Sequence, residues 1–363
     1  MKILITGNMG YVGPGVISQL RSAFPGATLV GYDMAYFASS LTNAVVLPEF
    51  KLDVQLFGDV RTTTPELFQG VDVVIHLAAI SNDPMGTRYE DVTLDVNYKS
   101  SIRIARMAKA AGARAFVFAS SCSMYGAAEE NAKTENSTLN PLTAYARSKV
   151  FTEKELEPLA DDQFTVTCLR FATACGMSDR LRLDLVLNDF VAGAVASGKI
   201  NILSDGSPWR PLIHVKDMAR AIEWAVTRQA GNGGAFLAVN AGSNEWNYQV
   251  RDLAAAVAEV IPGTEVTLNK DAAPDKRSYR VNFNLFQSLA PNHQPVYTLK
   301  HAIEELREGL IAMDFKDGDF RNSLFMRLKV LTKLQEIQSI NEQLEWSHKL
   351  VQVPKPKTTL ETV

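Results

Sequence analysis

Cysteine is scarce. The chain has three in 363 residues, Cys122, Cys168 and Cys175. An odd number without metal-ligand spacing excludes a disulfide framework and a thiolate metal centre, and reduced thiols are the simplest account. No metal is expected. No stretch is long and apolar enough to span a bilayer, so no membrane association is expected. Positive charge is not in excess: 37 Lys and Arg face 40 Asp and Glu, which argues against a nucleic-acid binder. Internal repeats are absent. The first residues run straight into a strand and leave no room for a leader peptide, so a cytoplasmic setting is expected. What is present is an ordinary globular balance, 46% hydrophobic and 21% charged, on a chain long enough for one large or two modest domains.

The apolar run 2–6 reads as a buried parallel strand. It ends in Gly7-Asn8-Met9-Gly10-Tyr11-Val12-Gly13, and Pro14 suits the first turn of a helix running to about Leu20. Glycines between a strand and a helix permit a tight turn and close approach to a pyrophosphate, while the helix N-terminus offers free N–H groups. The loop alone could be only a turn; its placement favours cofactor binding. A second strand, 28–32, closes in Asp33, twenty positions beyond Gly13. A carboxylate there accepts from the adenosine ribose and repels a 2′-phosphate, which selects NAD over NADP. The alternative is a surface acid capping a loop. Asp59-Val60 follow a third strand, where an acid could meet the adenine amino group. Strand 71–77 ends in Leu77-Ala78-Ala79, small residues that leave room for a cofactor, and His76 reads as a packed core histidine. A helix over 91–111 contains Asn97.

Strand 115–119 delivers Ser120-Ser121-Cys122-Ser123-Met124-Tyr125-Gly126, and a helix over 143–159 opens with Tyr145-Ala146-Arg147-Ser148-Lys149. Residues four apart share a helix face, so the Tyr145 phenol and the Lys149 ammonium can bear on one point. A phenol titrates near 10, about three units too high for a base at neutral pH, and a nearby cation favours its phenolate. Among ten tyrosines such a lysine arises by chance about half the time; the pair gains weight from its surroundings. Strands alternating with helices imply a Rossmann-type α/β fold, a doubly wound parallel sheet with ligands at the strands' carboxyl ends.

After Gly176 the rhythm breaks. Residues 1–176 are expected to form the dinucleotide domain, with returning segments near 210–260. Residues 177–315 would form a smaller C-terminal cap interleaved with it. Arg210 and Arg277 suit a diphosphate, or are ordinary surface arginines. Apolar spacing through Leu324, Phe325, Leu328, Leu331, Leu334 and Ile337 predicts an amphipathic helix within 316–350, most of it over 320–346. It would pack on the body or a second subunit, away from substrate. Residues 351–363 read as a flexible tail.

These motifs together make residues 1–310 resemble the extended short-chain dehydrogenase/reductase family, in its nucleotide-sugar epimerase/dehydratase branch. The resemblance rests on Gly7-x-x-Gly10-x-x-Gly13, Asp33, Asp59-Val60, His76-Leu77-Ala78-Ala79, Asn97, Ser120-Ser121-x-x-x-Tyr125-Gly126, Tyr145-x-x-x-Lys149 and Trp209-Arg210-Pro211-Leu212-Ile213-His214-Val215-x-Asp217. It implies Tyr145 as catalytic base, Lys149 on the nicotinamide ribose and Ser121 as the catalytic hydroxyl. The implied NAD site comprises residues 7–13, Asp33, Asp59, Val60, Leu77, Ala78, Ala79, Asn97, Ser120, Tyr145 and Lys149. The implied substrate site is Ser81, Ser121, Cys122, Ser123, Tyr145, Thr173, Arg210 and Arg277.

Sugar 4,6-dehydratases of similar pattern carry Asp-Glu where this chain has Cys122-Ser123, which disfavours dehydration. Phe171-Ala172-Thr173-Ala174, Pro211 and Asn282 also depart from the family pattern and leave the sugar and nucleotide open. The activity implied is NAD-dependent epimerisation of a UDP-, dTDP-, GDP- or CDP-linked sugar at C4, through a transient 4-keto intermediate. A 4-dehydrogenase, a 4-keto reductase, epimerisation at C3 or C5, and a non-catalytic NAD-binding protein are the alternatives. The resemblance also implies a homodimer built on the helices 91–111 and 143–159.

Overall fold

The computed structural model describes residues 1–81, 83–126, 131–269 and 278–347. In chain order the first half runs β1 (Lys2–Thr6), α1 (Gly13–Ala23), β2 (Thr28–Asp33), β3 (Val54–Phe57), β4 (Val73–His76), α2 (Asp83–Arg88), α3 (Glu90–Leu94), α4 (Ser100–Ala110), β5 (Ala115–Ser121), α5 (Ala144–Leu156) and β6 (Thr165–Phe171). The second half runs β7 (Thr173–Cys175), α6 (Val186–Ser197), β8 (Lys199–Ile202), β9 (Trp209–His214), α7 (Val215–Thr227), β10 (Phe236–Ala241), β11 (Asn247–Gln249), α8 (Val250–Val260), β12 (Glu265–Leu268), α9 (Asn284–Leu289), α10 (Leu299–Ala312) and α11 (Arg327–Glu336).

The main sheet has seven parallel strands in the order β10-β6-β5-β4-β1-β2-β3. Strand residues alternate between its two faces, as period two requires. Ile3 and Ile5 join a core with α1 and α7, whereas Leu4 and Val30 join a core with α4 and β5's Phe116 and Phe118. Both faces are therefore apolar, and a continuous run such as residues 2–6 is what such a strand needs. The chain leaves β1 toward β2 and β3, then crosses to β4 and onward to the other side. That reversal opens a crevice above the carboxyl ends of β1 and β4. A third core, with Leu187, Phe190, Leu212, Leu253 and Leu306, lies in the later segments. There β11-β9-β7 and β12-β8 make two small sheets, while β10 returns to the main sheet beside β6. Among the described residues no helix is long and apolar enough to cross a membrane.

Two expected helices are corrected. The stretch 91–111 is not one α-helix: between α3 and α4 lies a π-helical turn, Asp95–Lys99, which widens the helix around Asn97. The stretch 320–346 is not one long helix. A short turn at Phe320–Asn322 precedes α11, which stops at Glu336, and the chain then folds back through a bridge between Ile340 and Trp346. Two causes are visible. The Phe325 carbonyl accepts the Leu183 N–H at 3.0 Å, which holds the chain extended before α11. Gln338 and Leu344 take φ of +56°, in the left-handed region that ends a helix.

Candidate active site

The loop after β1 is shaped by close backbone approach. A Cβ on Gly7, whose φ is +74°, would lie 2.4 Å from the Ala78 nitrogen, and one on Gly13 would lie 1.8 Å from the Asn8 carbonyl oxygen. Only glycine fits either place. The Met9 N–H donates to Asp33 Oδ2 at 3.0 Å and the Ala35 N–H to Oδ1 at 2.7 Å. Burial raises the Asp33 pKa, and these two donors pull it back. Farther along the same edge, Arg61 pairs with Asp59 at 2.6 Å.

Above this edge lies a cavity of about 810 Å³. Of the expected cofactor residues, Gly7, Gly10, Tyr11, Val12, Asp33, Asp59, Val60, Leu77, Ala78, Ala79, Ser120, Tyr145 and Lys149 line it. Of the expected substrate residues, Ser81, Ser121, Ser123, Thr173 and Arg210 line it with Tyr145. A glycine cradle with no room for a Cβ, a carboxylate at the end of β2 and a cavity of this volume fit a dinucleotide.

Five expected residues do not line the cavity. Asn8 is buried and donates to Gln55 Oε1 at 2.6 Å. Met9 reaches Asp33 through its backbone, and Gly13 packs under Asn8. Asn97 accepts from the Ile80 N–H at 2.8 Å and donates to the Ile80 carbonyl at 3.0 Å, clamping the strand-end loop from behind. Cys122 points the other way, its buried thiol on the Arg170 carbonyl at 3.0 Å, and burial pushes its pKa far up. Arg277 lies outside the described residues. His76 is buried between the hydroxyls of Thr6 and Ser101, at 2.7 and 2.8 Å, and burial lowers its pKa to about 3.

The Tyr145 end of the cavity is built on α5. Thr143 caps that helix, accepting the Ala146 N–H at 3.2 Å, and so fixes where Tyr145 emerges. Lys149 Nζ lies 5.4 Å from the centre of the Tyr145 ring and donates to the Ala119 carbonyl at 2.6 Å. Burial pulls the Lys149 pKa down to about 7, against the opposing charge of Glu153 one turn on. Glu153 is itself held by Arg170 at 2.7 Å and receives the Ser120 hydroxyl at 2.5 Å. Ser121 Oγ accepts the Ser123 N–H at 3.1 Å and donates to Ser123 Oγ at 3.0 Å, so the two hydroxyls form one polar rim.

Several cavity residues escaped the sequence reading. Arg182 reaches Ser81 Oγ at 3.0 Å, and its guanidinium is matched by both oxygens of Asp184, at 2.5 and 2.9 Å. Behind the cavity wall, the buried Asn188 accepts the Gly176 N–H and donates to the Tyr11 hydroxyl at 3.2 Å. Arg321, Met326, Arg327 and Leu331 also line the cavity, a placement of the C-terminal segment that its apolar spacing does not predict. Alternating arginines in 180–184 were the only hint, and nothing local marked Arg327.

Residues 3–242 match the model of the NAD-dependent epimerase/dehydratase family. An uncharacterised UDP-glucose epimerase of Bacillus subtilis is 27% identical over 231 residues, 61% of this chain and 71% of the relative. UDP-glucuronic acid decarboxylase 6 of Arabidopsis thaliana is 24% identical over 332 residues, 88% of this chain and 89% of the relative. A solved UDP-glucose 4-epimerase of Stenotrophomonas maltophila, with bound NAD and formylated UDP-arabinopyranose, superposes with a TM-score of 0.74. It is 20% identical, covering 86% of this chain and 99% of that structure, a likeness of fold.

Proposed function

This chain belongs to the NAD-dependent epimerase/dehydratase family, in its nucleotide-sugar branch, and from that premise we propose that it inverts C4 of a nucleoside-diphosphate sugar. The carrying observation is the composition of one cavity. A dinucleotide cradle lies at one end, and the phenol, ammonium and paired hydroxyls of Tyr145, Lys149, Ser121 and Ser123 lie at the other. The segment 120–126 brings no carboxyl to that end, which disfavours elimination of water through an acid and base placed there.

NAD, when bound, supplies the acceptor and donor of hydride. In this reading the residues manage protons. Tyr145 Oη takes the proton of the C4 hydroxyl and returns it when the 4-keto sugar becomes an alcohol again. The Lys149 ammonium stabilises the phenolate, and the Ser121 hydroxyl shares the hydrogen bond to the sugar oxygen. The wall facing them supports an uncharged hexose, because the Arg182 charge is already neutralised by Asp184. A sugar carboxylate would have to compete with that carboxylate. Arg210, which lines the same cavity, would grip the diphosphate arm in this reading. A dehydrogenase or reductase using NADPH is disfavoured by Asp33.

Tyr145→Phe keeps the ring and removes the proton carrier. Its kcat is expected to fall by about 10²–10⁴-fold, with NAD content and nucleotide-sugar affinity near those of the wild type. Full activity in this variant would defeat the mechanism.

A further inference from the structure

The C-terminal segment crosses the mouth of the dinucleotide cleft. At one end, Arg321 pairs with Asp189 of α6 at 2.5 Å. At the other, the Trp346 indole N–H donates to the Met34 carbonyl at 2.7 Å, just past Asp33. Between them Arg327, only 1% exposed, borders the cavity. Its Nη2 donates to the Arg180 carbonyl at 2.7 Å, and its guanidinium lies 4.4 Å from the centre of the Phe37 ring. Its Nη1 is buried and has no hydrogen-bond partner among the described residues.

That arrangement is costly for packing alone. A buried cation needs a counter-charge or a full set of acceptors. The charged groups around Arg327 are Arg180 and Arg182, which repel it, and Asp184, which is committed to Arg182. Burial and the two arginines pull its pKa down to about 9. A methionine or leucine would fill the space without that penalty. Nη1 is closed to water in this structure, so an anionic oxygen would reach it from the cavity as the Arg327 side chain shifts, and a planar guanidinium is the side chain that suits phosphate.

We infer that Arg327 is a phosphate-binding residue for the dinucleotide, so that the C-terminal segment completes the cofactor site. Two diphosphates would share this cleft, that of the cofactor and that of a nucleotide sugar. Location selects the first. Phe37 lies on the loop that follows β2 and Asp33, and Arg180, whose carbonyl holds Arg327, is tied to the Phe37 and Ala38 carbonyls at 3.1 and 2.8 Å. Arg327 thus stands on the adenosine side, while Arg210 comes from β9. The inference rests on dinucleotide binding, which the family establishes, and not on which reaction follows.

The test is calorimetric titration of the nucleotide-free full-length chain with NAD, ADP-ribose, adenosine and UDP. Arg327→Met is expected to weaken NAD and ADP-ribose, which carry the pyrophosphate, by about tenfold or more. Adenosine and UDP should change less than about twofold, and the unliganded Tm should stay level or rise, since an unpaired buried charge is gone. Unchanged ADP-ribose affinity, an equal loss for adenosine, or a loss confined to UDP would each overturn the assignment. Should the Met variant not fold, Arg327→Lys decides: it keeps the charge but not the fork. A loss of several-fold for ADP-ribose and none for adenosine supports the assignment, and no loss for ADP-ribose overturns it.

Discussion

Lys149 is placed where a cation is disfavoured, and the reaction proposed here needs one. Its pKa in the folded chain is about 7, against 10.5 for a free lysine. Between those values the unfolded chain holds a proton that the folded chain lacks, so stability rises with pH across that window. Below about 7 both states are charged, and the fold carries the whole cost of the buried ammonium. For the cofactor-free protein, Tm is therefore expected to gain from this residue as pH climbs from 7 toward 10.5. Lys149→Met should flatten that part of the Tm–pH profile and raise Tm at pH 6; a variant with the wild-type slope contradicts the account. A phenolate at Tyr145 would restore the ammonium by pairing with it, so in the working site the two groups stabilise each other's charged form.

At the scale of elements, the C-terminal segment behaves as a strap. Arg61 donates to the Gln343 carbonyl at 2.6 Å, and the Tyr36 hydroxyl donates to the Leu344 carbonyl while its ring lies against Trp346. Nearer α11, Tyr89 donates to Gln335 Oε1 at 2.8 Å. These polar contacts are individually worth about 1 kcal/mol, and beside them Leu331, Ile340 and Leu344 are buried in the core that covers one face of the sheet. Trp346→Ala is expected to speed NAD release by about tenfold, read by displacement of fluorescent NADH, with an unchanged far-ultraviolet spectrum. Release at the wild-type rate would show that the strap does not hold the cofactor. This element also marks the limit of what sequence can tell. Gly7, Asp33, Tyr145 and Lys149 could be read because their chemistry sits in contiguous motifs whose spacing has a local meaning. Asn97 carried a motif but not its direction: its amide clamps Ile80 rather than facing the cavity. Leu324 and Ile337 fit a helical stripe yet are 51% and 54% exposed, because contacts with Leu183 and the turn at Gln338 override the local periodicity. Arg327 had no local signal, since its environment comes from Phe37 and Arg180, far away in the chain.

For the whole molecule, the sheet supplies the cofactor edge, the later segments supply the facing wall, and the strap spans both. The outer face of α5 carries Phe151, 39% exposed, with the Tyr98 ring centre 5.6 Å away. Such an apolar pair would suit a second copy of the chain, the homodimer that the resemblance implies. Phe151→Asp is expected to shift micromolar protein from dimer to monomer in sedimentation velocity, whereas a monomeric wild type would contradict the pairing. The central claim is a reaction that regenerates its own cofactor. It is tested most directly by a proton NMR time course of the purified protein with UDP-, dTDP-, GDP- and CDP-hexoses and no added cofactor. The account predicts that one sugar converts to its C4 stereoisomer. If every sugar stays unchanged until free NAD or NADH is supplied, and then turns over, the account is wrong and the protein is a dehydrogenase or reductase.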